Sequence, residues 1–250
     1  MGFTDLHIHT NFSDGYCTAE EMVIAAIEKG MDTLGFSEHS YTDFDDLFCT
    51  PFEKLAPYRE EITRLQKKYA GKLRILYGVE QDYFSTLSTD GYDYAIGSVH
   101  YVKANGEYIP VDYTAKHITD GAEKHFGGDV YAVLEAYFQT VGEFAAWKDI
   151  SIIGHFDVPS KFIETDHFFD PDNPRYVAAW KAAADRLIAA GIPFEINTGA
   201  IARGYRTTPY PHPVIMDYIR EHGGRFILSS DAHTPDKLCW DFEKWAQYLY

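Results

Sequence analysis

The stretch Asp5-Leu6-His7-Ile8-His9 alternates polar and apolar residues, and Asp14 follows in "NFSDG". Alternation of this kind is strand-like, so His7 and His9 project from the same face. Two imidazoles on one face can chelate a metal, but an isolated His-x-His pair also suits hydrogen-bonded core histidines. Further donors occur at regular positions: His39 in "GFSEHS", Glu80 in "ILYGVE", His100 in "AIGSVH", His155 in "SIIGHFD", and Asp231 with His233 in "FILSSDAH". With Asp14 they make nine imidazoles and carboxylates and no thiolate. That donor set suits zinc, manganese or iron, and the sequence does not choose among them. Nine donors exceed the needs of one ion, whereas two or three ions sharing a carboxylate would use them all.

Residues this far apart in sequence can meet only if the fold gathers them. Strand-like runs fall at 3–9, 32–37, 73–80, 92–99, 150–155, 193–197 and 225–230. Between most of them lie helical patterns with start and stop signals. "TAEEMVIAAIEKG" opens on a threonine cap and closes at Gly30, "NPRYVAAWKAAADRLIAAG" has Pro174 near its start, and "PHPVIMDYIREHG" ends at Gly223. Strands alternating with helices predict βα units and a parallel sheet, and seven strands in this length predict a barrel. The stretch 114–148 interrupts the βα rhythm with helix, and the C-terminal "DKLCWDFEKWAQYLY" reads as a last helix. In a βα barrel the strand carboxyl ends converge on one face, which is where all the candidate donors fall. The other histidines, His117, His125, His167, His212 and His222, lie in helices or loops and read as surface or capping residues.

Composition narrows the function classes. The chain has 250 residues, 46% hydrophobic and 24% charged, with no linker, low-complexity tract or short-period repeat, so a single domain over 1–250 is the simplest organisation. Cys17, Cys49 and Cys239 are odd in number and widely spaced, which suggests neither a disulfide framework nor a zinc ribbon and makes a reducing cytoplasm the expected setting. No N-terminal segment combines a basic start with an apolar run, so no signal peptide is expected, and no window approaches the ~20 apolar residues of a membrane span. A formal charge of −16 without a basic stripe argues against a stable nucleic-acid complex. Nothing in the sequence sets an oligomeric state.

Taken in order, "DLHIHTNFSDG", "SEHS", "GVE", "SVH", "GHFD", "EIN" and "SSDAH" resemble the polymerase-and-histidinol-phosphatase (PHP) superfamily, and more narrowly its stand-alone histidinol-phosphate phosphatases, from about Phe3 to Pro235. The resemblance implies a distorted (β/α)7 barrel with three divalent ions. His7, His9, Glu80 and Asp231 would hold the first. Glu80 would bridge to a second, held by His100 and His155, and Asp14, His39 and His233 would hold the third. Asp14 stands where other branches of the superfamily carry histidine. The implied reaction is hydrolysis of a small phosphomonoester, L-histidinol phosphate, by a metal-bridging hydroxide. Asp231 is the candidate proton donor to the leaving group. Arg203 leads as the clamp on the phosphoryl oxygens, followed by Lys161, with Arg206 a candidate that reads equally well as a solvated surface charge. Loop acids Asp43, Asp45, Asp46, Asp82, Asp112 and Asp157 could form a rim for a cationic substrate, although most would ordinarily be solvated.

Three other readings compete. A PHP phosphoesterase acting on nucleotides or oligonucleotides would carry the same metal motifs. A binuclear amidohydrolase would share the His-x-His strand but has no use for Asp14, His39 and His233. A non-catalytic metal-binding module would be expected to have lost ligands, and none of the matched positions has.

Overall fold

A computed structural model describes residues 2–45 and 48–249. Its strands in chain order are β1 (Thr4–Asp5), β2 (Thr33–Phe36), β3 (Arg74–Asp82), β4 (Tyr94–Ser98), β5 (Tyr101–Ala104), β6 (Glu107–Pro110), β7 (Ile152–Ile153), β8 (Phe194–Asn197) and β9 (Phe226–Ser229). Seven of them form one parallel sheet in the order β1-β2-β3-β4-β7-β8-β9. The sheet closes at its carboxyl end, where Ile8 bridges Ala232 and the His9 N–H donates to the Ala232 carbonyl at 2.9 Å. That closing contact is an isolated bridge, so the closure is local. The fold is therefore the distorted seven-stranded α/β barrel that the strand rhythm and the resemblance predict.

The helices are α1 (Ala19–Glu28), α2 (Leu55–Lys68), α3 (Ala115–Phe126), α4 (Val130–Glu143), α5 (Ile163–Asp166), α6 (Pro174–Ala189), α7 (Gly199–Ala202), α8 (Pro213–Glu221) and α9 (Phe242–Trp245). Their ends follow local chemistry. Thr18 and Glu21 form a reciprocal capping box at the start of α1, and Asn173 caps α6 ahead of Pro174. α4 and α6 pack together outside the sheet, burying Phe138, Tyr176 and Trp180 in the larger core cluster. Each such side chain contributes about 1.5–3 kcal/mol on leaving water. Among the described residues no helix is long and apolar enough to cross a membrane, and the three cysteines are unpaired.

One element lies outside the strand–helix rhythm, and one expectation needs correction. Residues 101–110 are an antiparallel hairpin, β5–β6, turning at Asn105-Gly106, where both residues have positive φ. An Asn-Gly pair supplies the left-handed geometry that a two-residue hairpin turn requires. The C-terminal segment is a broken run of short turns in place of one helix. Cys239 gives its N–H to the Asp5 carboxylate at 3.1 Å, and Cys239 and Asp241 both take positive φ.

The barrel interior is closed by Tyr94, whose hydroxyl lies 2.6 Å from the Leu6 carbonyl and 3.0 Å from that of Phe36. Gly35 and Gly78 make room for it, since a Cβ at either position would fall on the tyrosine.

Candidate metal centre

The sheet delivers the candidate donors to one end of the barrel because each follows or ends a strand. Glu80 lies within β3 and is fully withdrawn from water. Five imidazoles face its carboxylate. His39 Nδ1 is 2.7 Å and His7 Nε2 3.4 Å from Oε2, with His9 Nε2 at 3.5 Å. His155 Nε2 is 2.8 Å and His100 Nε2 3.3 Å from Oε1. Asp231 Oδ1 stands 3.4 Å from His9 Nε2 and 3.9 Å from His7 Nε2. Asp14 lies 3.1 Å from His233 Nε2, 3.6 Å from His39 Nε2 and 3.7 Å from His9 Nδ1.

Donor atoms close enough to share an ion form three overlapping groups among the described residues: His9, Asp14, His39 and His233; His7, His9 and Glu80; and His39, Glu80 and His100. Seven of the nine expected donors enter these groups; His155 and Asp231 enter none of them and stand beside the groups, 2.8 Å from Glu80 Oε1 and 3.4 Å from His9 Nε2. His9 and His39 each enter two groups, which the sequence-based partition did not foresee. His117, His125, His167, His212 and His222 enter none of them.

Whether these residues suit a metal is answered by their unsatisfied atoms. His7 Nε2 and both ring nitrogens of His9 are buried without a hydrogen-bond partner, and so is Glu80 Oε2, whose 2.7 Å approach to His39 Nδ1 lacks hydrogen-bond geometry. Leaving several polar atoms dry and unpaired in one place is costly, and ligation would satisfy them. Charge points the same way. Although burial opposes it, the imidazoles of His39, His7 and His100 hold the Glu80 carboxyl well below its ordinary range. Burial likewise opposes ionisation of Asp231, which Arg203 and His7 hold well below the usual carboxylate range. Burial, with His39 and His233 beside it, depresses the His9 imidazole to about 3, so it is neutral and free to donate lone pairs.

Buried carboxylates behind the imidazoles fix their orientation. Glu195, within β8, meets His7 Nδ1 at 2.8 Å, accepts from Ser229 Oγ at 2.6 Å and from Asn197 Nδ2 at 2.9 Å, and also takes the His155 N–H. Asp82 meets His100 Nδ1 at 3.0 Å and accepts the His100 N–H at 3.1 Å. Such carboxylate–imidazole pairs set the tautomer and leave Nε2 facing the centre. Glu38 accepts from Thr10 N at 3.0 Å, from Thr10 Oγ1 at 2.6 Å and from both the N–H and hydroxyl of Ser13, securing the turn that presents Asp14. Burial outweighs those bonds and pushes its carboxyl up to about 7. Glu195 and Glu38 were not singled out from sequence. The available signal was an acid inside an apolar strand, "FEIN", and one beside a candidate ligand, "SEHS".

A cleft of about 540 Å³ opens over the donors, and Arg203, Lys161, Asp45, Asp112, Phe48 and Tyr113 also line it. Arg203 donates to Asp231 Oδ2 at 2.9 Å and to the Asp231 carbonyl at 3.1 Å. Lys161 donates to the Asp112 carbonyl at 2.8 Å, and burial lowers the pKa of its ammonium. Arg206 does not reach this cleft. It is buried, donates to Ser160 Oγ at 2.7 Å and pairs with Asp157 at 3.4 Å, so it is not a solvated charge. Asp157 and Asp82 are equally buried and engaged, which removes them from the acidic rim. Asp43 is exposed and does not line the cleft, and Asp46 lies outside the described residues.

The profile of the PHP domain matches residues 5–199, and the chain belongs to that family. A Deinococcus radiodurans protein named "Probable histidinol-phosphatase" is 31% identical, across 96% of this chain and 90% of its own. Among solved structures, one from Listeria monocytogenes superposes with a TM-score of 0.83 over 97% of this chain and 99% of its own, at 20% identity. Histidinol phosphate phosphatase from Lactococcus lactis, solved with zinc, L-histidinol and phosphate, gives 0.75 over 99% and 92%, at 19% identity. These superpositions establish a shared fold.

Proposed function

We propose that this chain is a metal-dependent phosphomonoesterase that hydrolyses L-histidinol phosphate to L-histidinol and phosphate, within one PHP-type barrel spanning 1–250. The observation that carries the reading is the convergence of five imidazoles on the buried Glu80, with Arg203 and Lys161 in the same cleft. The relatives' names supply the substrate.

Three divalent ions fit the donors. His7, His9, Glu80 and Asp231 would hold one; Glu80, His100 and His155 a second; Asp14, His39 and His233 a third. Zinc, the metal in the Lactococcus lactis structure, leads over manganese and iron. Bound there, such ions supply Lewis acidity toward phosphoryl oxygens and lower the pKa of water toward neutrality. The protein's own residues do the rest. Arg203, partly exposed beside Asp231, clamps the non-bridging oxygens, and the desolvated Lys161 ammonium adds a second positive charge. Asp231, adjacent to the reacting centre, is the candidate proton donor to the leaving alkoxide, and a water in the cleft could serve in its place. Asp45 and Asp112 remain on the cleft wall to meet a cationic substrate. Three unpaired thiols suit a reducing cytoplasm.

The test is a panel of phosphomonoesters against zinc- and manganese-loaded protein. kcat/KM for L-histidinol phosphate should exceed that for p-nitrophenyl phosphate by at least about 100-fold, the ~3 kcal/mol of one or two charge-assisted hydrogen bonds. Equal rates, or preference for a nucleotide, would overturn the substrate and leave the metal chemistry standing. Elemental analysis should find more than two ions per chain.

A further inference from the structure

A second cavity, of about 590 Å³, lies behind the wall that carries Arg206 and Asp157. That volume falls in the range of small-molecule sites, about 300–1,000 Å³. None of the nine candidate metal ligands lines it. Its buried lining includes the rings of Phe169, Tyr176 and Trp180 together with Ile215. Such walls favour a flat, apolar body.

The polar part of the lining is incomplete. Asp157 and Arg206 are 1% and 4% exposed, and both border the cavity. Asp157 spends Oδ2 on Arg206 Nη1, on the His212 N–H and on Ser160 Oγ, while its Oδ1 has no partner. Arg206 spends Nη1 on Ser160 and Nη2 on Thr208, while its Nε has none. One buried acceptor and one buried donor therefore remain to be satisfied, each at a cost of about 1–3 kcal/mol while unmade.

The mouth is acidic. Exposed Asp172 and Glu221 line it with Lys181, whose ammonium lies 5.0 Å from the centre of the Tyr218 ring; Glu164 accepts from Thr207 at 3.0 Å, and Asp217 is paired with Arg220 at 2.9 Å. A cation is drawn there and an anion repelled.

We propose that this cavity binds a small heteroaromatic amine. Its ring lies among Phe169, Tyr176 and Trp180. A ring N–H donates to Asp157 Oδ1, a bare ring nitrogen accepts from Arg206 Nε, and the ammonium sits at the acidic mouth. The site is separate from the metal-facing cleft but shares a wall with it: the Arg206 guanidinium lies 4.6 Å from the centre of the Tyr210 ring, which borders that cleft. The proposal does not depend on which phosphate ester the enzyme cleaves.

The experiment is calorimetric titration of the metal-loaded enzyme with histamine and with the anionic imidazole-4-acetate. Histamine should bind at least tenfold more tightly than the acetate. Charge reversal at the mouth, Asp172→Lys with Glu221→Lys, should weaken histamine at least tenfold, and so should Val214→Trp, which places bulk at an exposed position of the lining. Glu80→Gln should leave histamine binding intact. Equal affinity for the two probes, or indifference to both mouth variants, overturns the proposal. Loss of binding in Glu80→Gln alone also overturns it, because the amine would then occupy the metal cleft.

Discussion

Glu80 and Glu38 lie close together at the carboxyl end of the barrel, and both are almost wholly removed from water. Their surroundings separate them. Glu38 is ringed by hydroxyl and amide donors from Thr10 and Ser13, and burial lifts its carboxyl to about 7. Glu80 faces imidazole nitrogens and keeps one oxygen unpartnered, and its carboxyl is held well below the ordinary range despite burial. A buried acid is thus not by itself a metal ligand. The partner atoms decide: saturated N–H and O–H donors make a structural clamp, and convergent lone-pair donors with orphaned atoms make a coordination site.

The largest effect that can test this contrast is Glu80→Gln. It should lower kcat/KM by roughly 10³-fold or more, several kcal/mol of lost metal-borne stabilisation, with loss of bound metal by elemental analysis. Retention of full metal content would erase the distinction between the two acids. Arg203→Ala should follow, at roughly 1.5–3 kcal/mol or about 10- to 150-fold in kcat/KM, with metal content intact. A fall in metal content there would make its bond to Asp231 a support of the coordination site. Glu195→Gln and Asp82→Asn should each weaken metal affinity by roughly 10- to 100-fold in chelator competition, because each frees an imidazole to turn. Unchanged affinity in both would show that packing alone orients His7 and His100. Glu38→Gln should have the smallest catalytic effect. One amide oxygen cannot replace two carboxylate oxygens, so stability should fall by about 1–3 kcal/mol in denaturant melts. Any ion released should come from the Asp14 group, and loss of the ions at Glu80 would merge the two regions again.

The ligand-bearing end was legible in the sequence because its chemistry is periodic. Each donor closes an apolar run, and a parallel barrel sends all such ends to one face. The supporting acids were harder to read, since Glu195 acquires its role from His7, 188 residues away. Arg206 misled because a charged residue in a glycine-bearing loop ordinarily reads as solvated, and only the Asp157 pairing reveals it as buried. The hairpin at 101–110 carried its own signal in Asn105-Gly106, but a strand–helix rhythm leaves no place for an antiparallel insert. At the C-terminus, the residues buried at Leu238, Phe242 and Trp245 have helical spacing, and the competing bond from Cys239 to Asp5 breaks it.

The tyrosine inside the barrel constrains how this sequence can change over time. Tyr94 fills space that exists only because Gly35 and Gly78 carry no side chain, and its hydroxyl ties together the ends of two neighbouring segments. An alanine at either glycine would collide with the ring, at a cost of about 1–3 kcal/mol for overpacking, and a small residue in place of Tyr94 would leave a hole of about 3–5 kcal/mol. No single replacement among the three is neutral, so the trio should drift through descent as one unit. A lineage that exchanges the tyrosine should show bulk gained at one or both glycines, whereas surface positions on the outer helices are free to vary independently.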